Sequence, residues 1–188
     1  RWAGYVTIAA IGTAFALSIW ALRSVLGEGG EAIGFASHSW FSVGNPGIGL
    51  GFEMTVGILL DPLTAIMLVV VTGVSLMVQI YSQGYMHGDR SYARYFAYMA
   101  LFTTAMLGVV TARNLIQLFV FWELVGLSSY LLIGFWHERP AAAAAAKKAF
   151  IVTRVGDFGF LLALLYLFTQ APGFAVLGLN PFEIPDII

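Results

Sequence analysis

Five long apolar stretches dominate the sequence, and shorter polar segments separate them. The stretches are Trp2–Leu26, Pro62–Gln83, Tyr92–Thr111, Asn114–Trp136 and Ala149–Thr169. An α-helix rises about 1.5 Å per residue, so about 20 apolar residues cross the roughly 30 Å hydrocarbon core of a bilayer. Lipid offers the backbone no hydrogen bonds, so each stretch must satisfy its own peptide groups as a helix. The pattern predicts an all-α, polytopic integral membrane helix bundle.

The long connection between the first two stretches has a different pattern. β-Branched and aromatic residues are frequent in Ser39–Val43 and Gly49–Ile58. Asn45-Pro46-Gly47, which lies between these two runs, is typical of a turn. We therefore expect a small extramembrane β-hairpin that lies on the membrane surface.

These patterns divide the chain into four segments. Residues 1–26 are expected to form a transmembrane helix, and residues 27–61 the outward-facing loop with the hairpin. Residues 62–169 hold four further transmembrane helices, and residues 170–188 form a second outward loop. The chain starts without Met and finishes in a loop-like segment, which indicates a fragment of a longer chain.

Basic residues are distributed unevenly between the two ends of the predicted bundle. Arg23 and Arg113 fall at the end that holds the hairpin. Six others fall at the opposite end, namely Arg1, Arg90, Arg94, Arg139, Lys147 and Lys148. Because Lys and Arg are enriched in cytoplasmic loops, the end with six basic residues is predicted to be cytoplasmic. The Ala- and Gly-rich composition suggests a bacterial inner membrane.

The composition excludes several other classes of protein. Of the 188 residues, 60% are hydrophobic and 10% charged, and the mean hydropathy is +0.86. Soluble domains carry about 25% charged residues, so an ordinary soluble domain is excluded. A net charge of -1 gives no basic excess for nucleic acid, so no nucleic-acid partner is expected. Three His without any Cys leave little for a metal site.

Glu123 is the first candidate functional residue, because it lies inside the fourth apolar stretch. An ionised acid at that depth costs about 2.5–3.5 kcal/mol on insertion scales. Desolvation favours its protonated form and a cationic partner favours its ionised form, so such a group can load and release a proton. The alternative is a protonated Glu that only holds neighbouring helices together.

Arg154 and Asp157 are the second feature, in the fifth stretch. Their i, i+3 spacing places them on one helix face, where each offsets the cost of desolvating the other. They can form a structural ion pair only, or an antiparallel neighbour can bring them into one polar layer with Glu123. Lys148 is a weaker candidate, because it is either an interfacial anchor or a group that feeds protons or pairs with lipid phosphate. Asp61, followed by Pro62, is expected to cap a helix.

The motifs around these residues resemble the largest antiporter-like subunit of respiratory complex I, called subunit L in bacteria and of the mitochondrial subunit 5 type. Residues 121–136, FWELVGLSSYLLIGFW, resemble its fifth transmembrane helix, and residues 148–157, KAFIVTRVGD, the start of its sixth. Residues 60–64 and 92–98 resemble the openings of its third and fourth helices. The likeness extends from about Phe52 to Phe168.

The resemblance implies a proton-translocating subunit of an NADH-quinone oxidoreductase, of which this chain holds the second to the sixth helices. It implies that Glu123 pairs with a lysine of the seventh helix inside a proton channel, and that residues 62–169 form part of that half-channel. Arg154 and Asp157 match a charged pair that modulates the channel. No cofactor is expected on this chain, while flavin, iron–sulfur clusters and quinone belong to other subunits. The expected partners are the lipid bilayer and other membrane subunits, especially a neighbouring antiporter-like subunit.

Two further hypotheses stay open from the sequence. The chain could instead be the large subunit of a multisubunit Na⁺/H⁺ antiporter, which shares the same helices and the same intramembrane acid. It could also be a passive membrane anchor whose buried polar groups serve helix packing alone.

Overall fold

Five long helices account for most of the fold. The structure is a computed structural model that describes residues 2–27, 33–34, 38–43, 52–176 and 180–187. The helices that are long and apolar enough to cross a membrane are α1 (Trp2–Gly27), α2 (Pro62–Tyr85), α3 (Tyr92–Val110), α4 (Leu115–Ile133) and α5 (Pro140–Val176). The predicted all-α membrane bundle is therefore confirmed, and the helix bounds differ from the predicted ones by a few residues, except in α5.

α5 is the helix that departs most from its predicted bounds. It extends from Pro140 to Val176, whereas the apolar pattern marks only Ala149–Thr169. Its 37 residues correspond to a length of about 55 Å, which exceeds the roughly 30 Å hydrocarbon core. We expect the Ala-rich first turns, residues 141–146, to lie outside the hydrocarbon at the helix start, where Pro140 has no N–H to leave unpaired.

Two short antiparallel sheets form the extramembrane part. Strand β2 (His38–Val43) pairs with β3 (Phe52–Val56), and β1 (Ile33–Gly34) pairs with β4 (Leu59–Leu60). The predicted hairpin is thus present, with an irregularity between Ser39 and Phe41. The turn predicted at Asn45-Pro46-Gly47 lies outside the described residues.

Consecutive helices pack against one another, so the bundle follows the order of the chain. Hydroxyl pairs cross two of the interfaces: Thr72 donates to Ser18 over 3.4 Å, and Ser75 and Thr103 share a 2.6 Å hydrogen bond. α3 and α4 approach closely at Gly108, where an added Cβ would lie 2.2 Å from the Phe121 ring. Small and hydroxyl-bearing residues permit such close packing where lipid supplies no hydrophobic drive.

Asn114 joins the strands to the start of α4. Its Oδ1 accepts from the Gln117 backbone N–H at 2.7 Å, which caps the helix, and its Nδ2 donates to the hydroxyl of Thr55 at 3.2 Å. Gln117 in turn accepts from the backbone N–H of Gly57 at 3.2 Å. We call the end of the bundle that carries these contacts the strand end, and the opposite end the basic end.

The C-terminal segment closes this set of contacts. Arg113 forms a 2.9 Å ion pair with Glu183, whose other oxygen accepts from the Thr55 hydroxyl. The Leu115 N–H donates to the Phe182 carbonyl at 2.9 Å, so the first turn of α4 is also satisfied by this segment. The short helix α6 (Ile184–Ile187) follows. Strands, α4 and the C-terminal segment are therefore held together at the strand end.

Replacing Asn114 with Ala removes both the cap and the bond to Thr55. We expect Asn114→Ala to lower the free energy of unfolding by about 2 kcal/mol, because a lost cap costs about 1 kcal/mol and a lost hydrogen bond about as much. Asn114→Asp keeps the capping oxygen and should lose about 1 kcal/mol. Thermal unfolding of the full-length protein in detergent micelles measures both, and equal stability of all three proteins would contradict this role.

Candidate functional site

The three predicted charges meet at the α4–α5 interface. Glu123 lies eight residues from Leu115 and ten from Ile133, which are the two ends of α4. At 1.5 Å per residue this places it about 12 Å and about 15 Å from those ends. Glu123 is therefore near the middle of the predicted membrane span.

Arg154 of α5 holds the site together. Its Nη1 contacts Glu123 Oε2 and lies 3.4 Å from Asp157 Oδ2. Its Nη2 also donates to the backbone carbonyl of Glu123 at 3.4 Å. One guanidinium is thus shared between carboxylates of two helices, and we call Glu123, Arg154 and Asp157 the charged layer.

Trp122 is a member of the site that the sequence reasoning missed. Its Nε1–H donates to Asp157 Oδ1 at 2.9 Å, on the side of the carboxylate that Arg154 does not occupy. The only signal in the sequence is an indole N–H inside a membrane span, which needs a buried acceptor. Thirty-five residues separate the two partners, so their pairing depends on how α4 and α5 align.

Aromatic side chains lie on both sides of the charged layer. Toward the strand end Phe119 packs on Phe160 with ring centroids 5.4 Å apart, and toward the basic end Tyr130 packs on Phe150 at 5.3 Å. The guanidinium carbon of Arg154 lies 4.5 Å from the centre of the Phe150 ring. The Phe150 ring therefore packs against the face of the guanidinium, while the carboxylates bind at its edge.

Glycines leave space around the charged layer, at Gly126 for the guanidinium and at Gly156 and Gly159 beside Asp157. At Gly126 an added Cβ would lie 3.6 Å from Arg154 Nη2, so the helix surface there is in contact with the cation. At Gly156 and Gly159 no described atom lies within 4 Å of such a Cβ, so among the described residues no neighbour packs closely there. A groove of about 410 Å³ opens beside Asp157, lined by Leu118, Trp122, Val152, Thr153, Gly156, Asp157 and Phe160.

The side chains of the layer are not equally covered. The Asp157 side chain is 10% exposed, whereas those of Glu123 and Arg154 are 29% and 28% exposed. With all three ionised the layer has two negative charges and one positive charge. A single added proton on either carboxyl group would make the layer neutral.

The other predicted residues lie elsewhere. Lys148 is exposed near the start of α5 and forms no ion pair with the described residues. Asp61 caps α2 as expected, since its Oδ1 accepts from the Thr64 N–H at 2.6 Å. In the described part of the chain no three His, Cys, Asp or Glu side chains come together as a metal site would require.

Comparison with known proteins identifies the class to which this arrangement belongs. A family model described as NADH-ubiquinone oxidoreductase (complex I), chain 5 N-terminus, matches residues 40–96. A second one, described as NADH:quinone oxidoreductase/Mrp antiporter, TM, matches residues 112–180 and contains the charged layer. These are antiporter-like membrane subunits, and together the matches span about two thirds of the chain. The chain belongs to the chain 5 family of complex I.

Curated relatives support this assignment. The chain is 53% identical over 137 residues to the chloroplastic NAD(P)H-quinone oxidoreductase subunit 5 of Mesostigma viride, covering 72% of this chain and 21% of the relative. It is 45% identical over 172 residues to the chromatophore protein of that name in Paulinella chromatophora, covering 92% and 25%. The chain thus spans about a quarter or less of these relatives. Their names are organellar, so the expected bacterial inner membrane is not confirmed.

Solved structures show the same fold. The Mrp complex from Dietzia sp. contains a chain with a TM-score of 0.70 and 26% identity, over 89% of this chain and 16% of that one. An archaeal membrane-bound sulfane sulfur reductase contains one with a TM-score of 0.73 over 89% of this chain and 32% of that one. The second is only 17% identical, so it shows the fold alone.

Replacing Trp122 with Phe tests the bond to Asp157, because the ring stays and the N–H is lost. Hydrogen bonds to charged groups contribute about 1.5–3 kcal/mol, so we expect the free energy of unfolding to fall by about 1.5 kcal/mol. Thermal unfolding of the full-length protein in detergent micelles measures the change.

Trp136 provides the matched control. Its Nε1 lies 3.4 Å from Asp89 Oδ2 at an exposed position. Trp136→Phe should change stability by no more than about 0.5 kcal/mol. Equal losses of unfolding free energy in Trp122→Phe and Trp136→Phe would show that the bond between Trp122 and Asp157 stabilises the protein no more than the exposed contact of Trp136 does.

Proposed function

We propose that the chain is part of a proton-translocating membrane subunit of an NAD(P)H-quinone oxidoreductase of the complex I type. The observation that carries the proposal is the shared guanidinium: Arg154 contacts Glu123 and Asp157 in the middle of two membrane helices. Membership of the chain 5 family and the curated relatives support the kind of complex.

Glu123 is the proton carrier in this proposal. Asp157 has donors on both oxygens, Trp122 and Arg154, which stabilise its negative charge. Glu123 contacts only Arg154 within the layer, and its side chain is the more exposed of the two carboxylates, so a proton has easier access to it. We therefore assign Glu123 as the group that accepts the proton that neutralises the layer. Arg154 and Asp157 then set the electrostatic potential that Glu123 experiences.

Proton release requires a change in charge near Glu123. Two unit charges 4 Å apart interact by about 4 kcal/mol at an effective dielectric constant of 20. A cationic side chain from another segment, such as the lysine that the family resemblance implies, would therefore replace the proton as the neutralising charge. The groove beside Asp157 gives such a group access to the layer.

The redox chemistry is assigned to other subunits of the complex. Flavin, iron–sulfur clusters and quinone would act there, and this subunit would respond to their energy through its charges. The partners we propose are membrane subunits, among them a neighbouring antiporter-like one. This role places the protein in an energy-transducing membrane. The names of the relatives are organellar, so the proposal includes organellar membranes as well as a bacterial inner membrane.

A second function, that of the large subunit of a multisubunit Na⁺/H⁺ antiporter, is favoured by one observation. The chain in the Mrp complex of Dietzia sp. has the same fold over most of this chain. This function needs no redox partner, and transport would depend on sodium.

Glu123→Gln in the full-length protein tests the role of Glu123, because the amide keeps the shape and cannot carry the proton. We expect proton pumping by the complex in reconstituted vesicles to fall at least about tenfold, as for loss of an acid–base group, while quinone reduction is partly retained. Pumping and quinone reduction are measured on the same vesicles.

Glu138→Gln is the matched control, since Glu138 is an exposed glutamate of the α4–α5 connection. It should leave pumping and quinone reduction unchanged. Normal pumping by the Glu123→Gln complex would end the proposal. Sodium-dependent proton transport without any quinone reduction would favour the antiporter.

A further inference from the structure

Arg94 is a cation at the basic end whose situation differs from that of Arg154. It lies in the first turn of α3, donates from Nη2 to the Phe135 carbonyl at 3.3 Å, and has its guanidinium carbon 5.1 Å from the centre of the Phe135 ring. Its Nε–H, like that of Arg154, is buried and has no acceptor among the described residues. Arg113 and Arg154 each form ion pairs with carboxylates, whereas no described carboxylate pairs with Arg94.

A cavity of about 190 Å³ adjoins Arg94, between the start of α3, the end of α4 and the start of α5. Arg94 and Lys147 both line it, as do the hydroxyl-bearing residues Tyr98 and Tyr130, and none of the described carboxylates does. Two positive charges and two phenols thus border one space. This combination of hydrogen-bond donors suits an anion.

The cavity exists because its other walls carry small side chains. Gly134, Ala143 and Ala146 line it, and the Cβ of Ala146 lies 3.1 Å from where a Cβ on Gly134 would be. Water takes about 30 Å³ in the liquid, so a space of this size admits a tetrahedral phosphate group together with some water. The cavity lies near the ends of three membrane helices, where we expect the lipid headgroups.

We propose that this cavity binds a phosphate group, with Arg94 and Lys147 as the cationic partners. Arginine forms directed bonds to phosphate oxygens, and a basic pocket between membrane helices at the cytoplasmic side suits an anionic phospholipid headgroup. Free inorganic phosphate has the same chemistry. An adjacent cavity of about 270 Å³ shares Arg94 but is also lined by Asp89 and Glu138, whose charges make it less suitable for an anion.

Binding is tested on the full-length protein in its purified complex, delipidated in detergent. Native mass spectrometry gives dissociation constants for phosphatidylglycerol, phosphatidylcholine and inorganic phosphate. Each basic residue near the membrane surface contributes several-fold, so we expect weaker phosphatidylglycerol binding, by about tenfold in Arg94→Gln and about fivefold in Lys147→Gln. Arg94→Lys keeps the charge and should retain most of the binding.

Arg139→Gln is the matched control. Arg139 is an exposed cation at the same end, stacked on Trp136 at 5.3 Å, and it does not line the cavity. It should bind phosphatidylglycerol as the unsubstituted protein does. Binding of inorganic phosphate with the same dependence on Arg94 and Lys147 would support the site with free phosphate as its ligand.

Two results would overturn the proposal. One is that Arg94→Gln and Lys147→Gln bind phosphatidylglycerol, and also inorganic phosphate, as tightly as the unsubstituted protein does. Lys147 is exposed, so its substitution leaves the fold intact. The other is an electron-microscopy map of the complex in which a protein side chain fills the cavity beside Arg94.

Discussion

The fold depends on the need to neutralise ionised groups inside a membrane span, where they are poorly solvated. α4 and α5 together place three charged side chains inside the membrane, and each would cost about 2.5–3.5 kcal/mol if it were inserted alone. The guanidinium of Arg154 removes most of that cost, because it contacts a carboxylate from each helix. Apolar side chains alone are compatible with many alignments of two helices, whereas the contacts of Arg154 with both carboxylates favour the alignment of α4 and α5 that is observed.

The alignment of α4 and α5 fixes more than the charges. From the strand end to the basic end, the contacts are Phe119 with Phe160, Trp122 with Asp157, and Tyr130 with Phe150. A shift of one helical turn, about 5.4 Å, would break all of them together. At the strand end Asn114 and the backbone of Leu115 anchor the start of α4, and at the basic end Arg94 binds the carbonyl of Phe135. The depth of Glu123 is thus set from both ends.

The sequence predicts those features that local chemistry determines. A segment of about twenty apolar residues can satisfy its own backbone hydrogen bonds in lipid only as a helix, so the five helices are predictable. Asp61 before Pro62 likewise marks a helix start. The strands near residues 38–56 follow from β-branched and aromatic residues around a turn. Glu123, Arg154 and Asp157 stand out because ionisable residues are costly in a membrane span.

Features that depend on the alignment of distant segments could not be predicted. The partner of Trp122 is 35 residues away, and Thr55 meets Glu183 across 128 residues. Neither pair has a periodic pattern, because each is a consequence of helix packing that the hydrophobic positions leave undetermined. The extension of α5 at its start, over residues 141–146, follows from Ala residues, which favour a helix in water as well as in lipid.

The two arginine environments suggest how the basic end and the charged layer are linked. Tyr130 lines the cavity beside Arg94 and lies seven residues, or about two turns, from Glu123 on the same side of α4. Without an anion, the charges of Arg94 and Lys147 would oppose the approach of a proton from this end. A phosphate bound there, as proposed, would neutralise them and place titratable oxygens next to Tyr130. Whether protons reach Glu123 from the basic end would then depend on the occupant of that cavity, and a change in lipid would alter pumping without any change in the charged layer.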